Sequence, residues 1–269
     1  MKALSSISLA VVLAAALAAP AQAGAIRDAA AFTDNTLAAN DDGSTGLVGL
    51  GFNINFYGLN QSDLFVNNNG NVTFDGALST FTPFNLTSTA RQIIAPFFAD
   101  VDTRSLASSL VQYGQDTIAG RSVFGVNWIN VGYFNTQGSP LNSFQLIITD
   151  RSDILAGDFD FEFNYDSVLW ETGSASGGVG GLGGSSARAG WSNGSTADLE
   201  LAGSAVNGAF LNAGSNSLIQ GSLNSNVAGR YIFNVRNGAV VGVPEPMSLA
   251  LVGLALAGLG LASRKKRAV

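Results

Sequence analysis

Apolar and polar residues alternate along much of this chain, with the two-residue period of an extended strand rather than the 3.6-residue period of a helix. The clearest stretch is Phe159-Asp160-Phe161-Glu162-Phe163-Asn164-Tyr165. Its aromatic side chains share one face and its polar side chains the other, which predicts a strand with a buried aromatic face and a solvated acidic face. The same alternation recurs at residues 52–56, 124–128, 144–148 and 231–235.

Asparagine–glycine pairs separate several of these apolar stretches. Asn69-Gly70 lies between the apolar residues 64–66 and 72–74 and predicts a β-hairpin, because both residues tolerate the positive φ angles of a tight turn. Further pairs stand at 193–194, 207–208 and 237–238. Short strands separated by turns, with no helical segments between them, predict an all-β domain built as an antiparallel sandwich or a barrel-like sheet.

A glycine-rich segment interrupts the strand pattern at residues 173–184, where seven of twelve residues are glycine. It predicts a flexible surface loop, and the alternative is a loop whose backbone contacts a ligand. Trp170 and Trp191 flank this segment. The sequence leaves two interpretations of these tryptophans open: core packing, or an exposed platform on which sugar rings stack.

The first 23 residues have the pattern of a secretory signal. Lys2 precedes an apolar run at residues 9–19, and Ala21 and Ala23 form a small-residue cleavage site before Gly24. This pattern predicts that the signal peptide is removed and that the rest of the chain is exported.

The C-terminal end combines a short motif, an apolar segment and a basic tail. In order these are Pro244, Glu245 and Pro246, the uncharged residues 247–263, and the cations Arg264, Lys265, Lys266 and Arg267. A helix over the apolar segment would span about 26 Å, just enough to cross the inner membrane with the cations held on the cytoplasmic side. An ordinary membrane anchor is one interpretation. The whole arrangement resembles the PEP-CTERM sorting signal of Gram-negative bacteria, which implies an exosortase-type sorting protease as partner and cleavage near the motif.

Composition removes many kinds of chemistry. The 269-residue chain has no cysteine and no histidine, which excludes disulfides, thiol catalysis, Ser-His-Asp triads and imidazole metal sites. Between residues 24 and 243 there are eight arginines, no lysine and eighteen acidic residues, so the formal charge is 8 − 18 = −10. A body this acidic is a poor partner for nucleic acid or for anionic lipids.

An enzymatic function is not expected. Eighteen acidic residues place some pair at a glycosidase-like spacing by chance, so such a pair carries no signal. A Ser–Lys dyad is excluded because the body has no lysine, and no serine lies in a G-x-S-x-G motif. No cofactor is expected apart from an optional calcium ion.

Four aspartates form the candidate for that ion. Asp100 and Asp102 flank Val101, so on an extended chain both carboxylates point to one side, from backbone positions about 6.6 Å apart. With Arg104 in the same phase, the simpler interpretation is a small ladder of salt bridges. The sharper interpretation is a low-affinity calcium site that also includes Asp41 and Asp42, because calcium prefers several carboxylate oxygens.

Several longer motifs follow one another along residues 40–235. They are Asp41-Asp42-Gly43-Ser44, then 52–58, 64–74, 93–104, 126–131, 142–146, 170–173 and 187–191. In this order they resemble the nidogen-like (NIDO) extracellular domain. The resemblance implies an adhesion or matrix module rather than an enzyme. Animal members of the family sit beside cysteine-rich modules, which this chain lacks, so the partners of those modules are not carried over.

These observations divide the chain into a signal peptide (1–23), an N-terminal lead segment (24–39), a NIDO-like β domain (40–236), a linker (237–243) and a sorting signal (244–269). The function expected is that of an exported surface or matrix protein that adheres to exopolysaccharide or to matrix proteins in a biofilm. The main alternative is a carbohydrate-binding module for exopolysaccharide, and a more distant one is a carboxylate hydrolase. The expected location is the cell surface or extracellular matrix, with transient anchoring in the inner membrane.

Overall fold

The computed structural model describes residues 24–242. The signal peptide expected at residues 1–23, and the sorting signal with its hydrophobic helix expected at 244–269, lie outside the described residues. Across residues 24–242, no helix has the length and apolar character needed to cross a bilayer.

The described chain consists of fourteen strands and two single 3₁₀ turns, at Leu86–Ser88 and Ser174–Ser176. The strands are β1 (Asn35–Thr36), β2 (Val48–Phe56), β3 (Leu59–Asn67), β4 (Asn71–Thr73), β5 (Gln92–Phe98), β6 (Val101–Asp102), β7 (Gln112–Ile118), β8 (Arg121–Tyr133), β9 (Gln137–Asp150), β10 (Phe159–Ser167), β11 (Arg188–Asn193), β12 (Asp198–Glu200), β13 (Arg230–Arg236) and β14 (Ala239–Val241).

These strands form two antiparallel sheets. The larger sheet has eight strands in the order β1-β7-β8-β9-β10-β13-β14, with β6 paired to β8, and the smaller has six in the order β12-β11-β5-β4-β3-β2. Phe56 of the smaller sheet meets Phe161 of the larger one edge to face, with ring centroids 6.3 Å apart. The two sheets therefore pack as a sandwich, which confirms the all-β prediction.

The aromatic face of β10 lies in the core, as its alternation predicts. Phe159, Phe161 and Phe163 are fully buried, and Phe161 stacks on Phe233 of the neighbouring β13 with ring centroids 4.7 Å apart. Burying one such side chain contributes about 1.5–3 kcal/mol. Stacked aromatic side chains inside the sandwich hold together a fold that has no disulfide to support it.

Two of the predicted turns have the backbone that their sequence indicates. The Asn69-Gly70 pair lies in the three-residue turn 68–70 that joins β3 to β4, with Asn67 opposite Asn71, and Gly70 has a φ of +72°. The turn from β13 to β14 consists of Asn237 and Gly238, with φ angles of +48° and +81°. Positive φ at both residues is what a two-residue type I′ hairpin requires.

The prediction of a solvated acidic face on β10 is wrong. Glu162 is 7% exposed and Asn164 is fully buried, because residues 24–32 of the lead segment lie over this face of the larger sheet. Arg27 pairs with Glu162, at 3.0 Å from Nη2 to Oε2, and Asn164 Nδ2 donates to the other carboxylate oxygen. Glu162 thus binds a further layer of chain instead of water, while Asp160 pairs with Arg151 and Arg236, and Asp166 is exposed.

The lead segment is fastened to the sheet along its length. Gln145 Nε2 donates to the carbonyl of Arg27 at 2.9 Å, and Asn127 Nδ2 donates to the carbonyl of Ala31 at 2.8 Å. Phe32 fills the space over Gly125, where an added Cβ would lie 2.3 Å from its ring. The outer face of the larger sheet therefore depends on residues that the alternation pattern does not include.

Removing the Arg27 side chain should loosen this layer. Arg27→Ala leaves the buried Glu162 carboxylate with a single donor, so we expect the free energy of unfolding to fall by about 1–3 kcal/mol. Urea denaturation followed by tryptophan fluorescence measures this loss. Arg121→Ala is the matched control, since the side chains of Arg121 and its partner Asp153 are 40% and 45% exposed, so solvent screens the pair and its loss should be clearly smaller. Equal losses in the two variants would contradict a structural role for the lead segment.

Candidate metal centre

Three of the four predicted calcium ligands come together beside the β3–β4 hairpin. Asp41 and Asp42 lie between β1 and β2, and Asp100 lies between β5 and β6. One carboxylate oxygen from each of the three lies within 4.8 Å of the others. Asp41 and Asp42 are half-buried, whereas Asp100 is 1% exposed. We call these three residues the aspartate cluster.

Asp102 faces Arg104 instead of joining the cluster. Arg104 donates to it from Nε at 2.9 Å, from Nη2 at 2.6 Å and from its backbone N–H at 3.0 Å, and Thr136 N–H adds a fourth bond. Burial alone would raise the pKa of Asp102, but these hydrogen bonds and the positive charge of Arg104 outweigh it and lower the pKa. The prediction of Asp102 as a calcium ligand is therefore corrected, and the salt-bridge interpretation holds for this residue.

Asp41 is the member of the cluster that also contacts the Arg104–Asp102 ion pair. Its Oδ2 is 3.0 Å from Arg104 Nη2, while its Oδ1 is buried and accepts no hydrogen bond from the described residues. Burial, followed by repulsion from Asp102 and Asp42, raises the pKa of Asp41 to about 6. One cation thus compensates only part of the negative charge around Asp41.

Asp100 is the most confined member of the cluster. Its Oδ2 is buried and lacks a hydrogen-bond donor anywhere in residues 24–242. Burial raises the pKa of Asp100 to about 7, and the charges of Asp41, Asp42 and Asp102 add to the shift. Most buried carboxylate oxygens are paired or hydrogen-bonded, so this oxygen is an exception that calls for a partner.

Glycine at position 173 allows a loop to pass directly over Asp100. Gly173 has a φ of −79°, which any residue adopts, so its backbone angle is not the reason for glycine. A Cβ at this position would lie 2.2 Å from Asp100 Oδ2. The close approach therefore excludes a side chain and leaves the carboxylate in contact with backbone.

The asparagines of the hairpin hold the cluster in place. Asn69 Nδ2 donates to Asp42 Oδ1 at 2.8 Å, and its Oδ1 accepts the backbone N–H of Val101 at 2.9 Å. Asn68 Nδ2 donates to the carbonyls of Asp41 and Val101. Both asparagines are buried, so one hairpin positions the two chain segments that carry the aspartates.

Sequence reasoning did not assign this supporting role to the asparagines. The run Asn67-Asn68-Asn69-Gly70-Asn71 predicted the turn correctly, but a turn needs only one or two such residues. The additional asparagines are the signal that could have indicated contacts with neighbouring segments. A buried asparagine must find hydrogen-bond partners for its amide group.

The tryptophan platform is not present. Trp170 is fully buried and donates from Nε1 to the carbonyl of Val131 at 3.1 Å. Trp191 is 4% exposed and stacks on Tyr57, with ring centroids 5.5 Å apart. Both rings fill the core, because the strands around them leave no exposed aromatic face, so the prediction that they contact a ligand is wrong.

The glycine-rich loop is packed against the body of the domain. Gly181 O accepts the backbone N–H groups of Glu171 and Thr172, and a Cβ at Gly181 would lie 2.8 Å from the side chain of Trp170. The segment follows a defined path over Trp170 and Asp100, in place of the flexible loop that its composition predicts.

The predicted processing sites lie at or beyond the ends of the described residues, so they stay predictions. Ala21 and Ala23 lie outside the described residues, as do the motif Pro244, Glu245 and Pro246 and the basic residues 264–267. Gly24 is exposed at the beginning of the described chain.

Comparison with known proteins finds one matching family model and several similar animal proteins. A model of the nidogen-like domain matches residues 62–119 and 106–237. The chain is similar to α-tectorin of Mus musculus (34% identical over 220 residues, 72% of this chain and 10% of that protein) and of Homo sapiens (33% over 220 residues, with the same coverage). It is also similar to nidogen of Drosophila melanogaster, at 30% identity over 150 residues, 46% of this chain and 11% of that protein. The chain thus spans about a tenth of these relatives, and no solved structure matches it significantly.

Proposed function

Because the chain belongs to the nidogen-like domain family, we propose that it is an exported protein with a structural and adhesive role outside the cell. The observation that carries this proposal is the family match, which extends over most of the β sandwich. The matched relatives, α-tectorin and nidogen, are extracellular matrix proteins. They share only this module with the chain, so their other partners are not transferred.

The chemistry of the described residues agrees with action by contact rather than by catalysis. The acidic body has no histidine, cysteine or lysine to serve as a nucleophile or a general base near neutral pH. We therefore propose exopolysaccharide or other matrix proteins as partners, and biofilm as the setting. The contact surface does not involve Trp170 or Trp191, since both rings are buried.

We further propose that the C-terminal segment is a sorting signal read by an exosortase. Residues 244–269 would hold the chain in the inner membrane through the apolar segment until cleavage near Pro244, Glu245 and Pro246 releases the domain. The support for this step is the order of motif, apolar segment and basic tail in the sequence.

Intact-mass analysis combined with cell fractionation tests both parts. In the organism that produces the chain, we expect the domain in the surface and matrix fractions. Its mass should equal that of a fragment that begins at Gly24 and ends near Val243. Replacing Pro244 and Pro246 by alanine should leave most of the protein uncleaved in the membrane fraction. Val241→Ala, an exposed position in β14, is the control and should be processed normally.

The adhesive role and the sorting by exosortase can be contradicted independently of each other. A matrix-located protein that keeps Arg264 to Arg267 would contradict sorting and leave the adhesive role standing. A protein that resides in the cytosol, or that turns over a polysaccharide, would contradict the adhesive role itself.

A further inference from the structure

We propose that Asp41, Asp42 and Asp100 bind one calcium ion beside the β3–β4 hairpin. Their oxygens lie within 4.8 Å of one another, and two ligands on opposite sides of a calcium ion are about 4.6–5.2 Å apart, since each bond is about 2.3–2.6 Å long. The three carboxylates can thus reach a single ion without a rearrangement of the backbone.

The state of Asp100 is a separate observation that points to a ligand. Its side chain is 99% buried and directed into the cluster, yet Oδ2 has no donor within the described part of the chain. Asp41 Oδ1 is buried in the same condition. Two carboxylates of the cluster therefore each keep a buried oxygen without a donor, and a cation bound by the cluster would supply the positive partner that the described chain does not.

The aspartate cluster has more negative charge than its one arginine neutralises. When all four are ionised, Asp41, Asp42, Asp100 and Asp102 carry four negative charges and Arg104 supplies one positive charge, so the formal sum is 1 − 4 = −3. Arg104 is occupied by Asp102 and by Asp41 Oδ2, and the ion pairs of residues 24–242 include none for Asp42 or Asp100. A divalent ion would bring the local charge to −1.

The surroundings hold the cluster ready for an ion. Asn69 bonds to Asp42 and to the chain beside Asp100 at the same time, and Gly173 closes over Asp100 without a side chain. Because the ligands are positioned by buried hydrogen bonds, little conformational freedom remains to be lost on binding.

Ligand chemistry favours calcium among the common divalent ions. The cluster offers only carboxylate oxygens, and the chain has no histidine or cysteine with which to select zinc, copper or nickel. Magnesium requires shorter bonds of about 2.0–2.1 Å and a near-ideal octahedron that keeps several waters, whereas calcium accepts several carboxylate oxygens in a flexible geometry. Extracellular calcium modules commonly have dissociation constants on the order of 10⁻⁴–10⁻³ M, and we expect the site to fall in this range.

Thermal unfolding of the full-length chain in mild detergent tests the proposal. After treatment with EGTA, addition of calcium chloride to about 20 mM, roughly 20 to 200 times the expected dissociation constant, should raise Tm by roughly 4–10 °C. The same concentration of magnesium chloride should have a much smaller effect. No calcium-dependent shift at 20 mM, or an equal shift with magnesium, would overturn the assignment.

A matched pair of variants locates the site. Asp100→Asn should abolish the calcium-dependent shift while leaving the EGTA-treated protein folded, because the amide removes a like charge and keeps the shape of the side chain. Asp116→Asn makes the same chemical change at an exposed position on β7 and should keep the full shift. If Asp100→Asn fails to fold, Asp42→Asn at the half-buried member provides the same comparison. A full calcium shift in a folded Asp100→Asn or Asp42→Asn protein would show that the ion binds elsewhere.

Discussion

Gly70→Ala should destabilise the domain by about 3 kcal/mol or more. A Cβ at Gly70 would lie 1.8 Å from the carbonyl oxygen of Phe97, a separation that neither backbone segment can relieve by turning a side chain. The two segments are also bonded, since Phe97 N–H donates to Gly70 O at 3.1 Å. The substitution would therefore separate the β3–β4 hairpin from β5, the strand that leads into Asp100.

Gly58→Ala separates this steric effect from the effect of backbone angle. Gly58 also has a positive φ, +85°, but no heavy atom lies within 4 Å of its Cβ position. We expect it to cost only about 1 kcal/mol, the usual penalty for a side chain in the left-handed region. Urea denaturation of the two variants beside the wild type measures both values. Similar losses would show that the contact between Gly70 and Phe97 contributes little.

The Gly70 turn also shows what local sequence predicts and what it does not. The Asn69-Gly70 pair predicts the hairpin because turn geometry depends on a few consecutive residues. The contact with Phe97 depends on how a hairpin and a strand almost thirty residues apart meet, and no short-range pattern contains that distance. Similarly, alternation in β10 identifies its aromatic face correctly, but it does not reveal that the lead segment covers the other face.

The aspartate cluster was predicted in part for the same reason. Grouping Asp41 and Asp42 with Asp100 relied on their residue type and on motif order, and the structure brings these three together. Asp102 was expected among them because it follows Asp100 by two residues, and side chains two residues apart on a strand point to the same side. Its actual environment depends on the path of the chain around Arg104 and on Thr136, a residue more than thirty positions away.

The lost tryptophan platform illustrates a limit of composition. Trp170 and Trp191 flank a segment so rich in glycine that exposure was a reasonable alternative. Glycine has a second consequence, however: a backbone without side chains can pack closely on its neighbours, as Gly181 does on Trp170 Cβ and on the ring of Tyr133. The same composition that suggests a flexible loop therefore permits a tightly packed one, and only tertiary contacts distinguish the two.

Trp170→Ala should be among the most destabilising substitutions in the domain, with a loss of about 3–5 kcal/mol. The ring is fully buried, lies edge-on to Phe97 at 5.6 Å between centroids and packs beside Tyr133 at 5.2 Å. Its removal opens a cavity and leaves the carbonyl of Val131 without the indole donor. Phe97 on β5 would also lose its edge-to-face partner.

Leu169→Ala is the matched control for this prediction. Leu169 precedes Trp170 in the chain but is 44% exposed, so its truncation should change stability by no more than about 0.5 kcal/mol. Urea denaturation gives both values, and retention of each protein on isolated matrix polysaccharide, measured at a temperature where it is folded, gives the functional effect. If Trp170 is a core residue, the variant loses stability and any folded fraction binds like the wild type. A Trp170→Ala protein that keeps its stability and loses retention would instead make the ring part of a sugar-binding surface, and would contradict the packing that the sandwich shows.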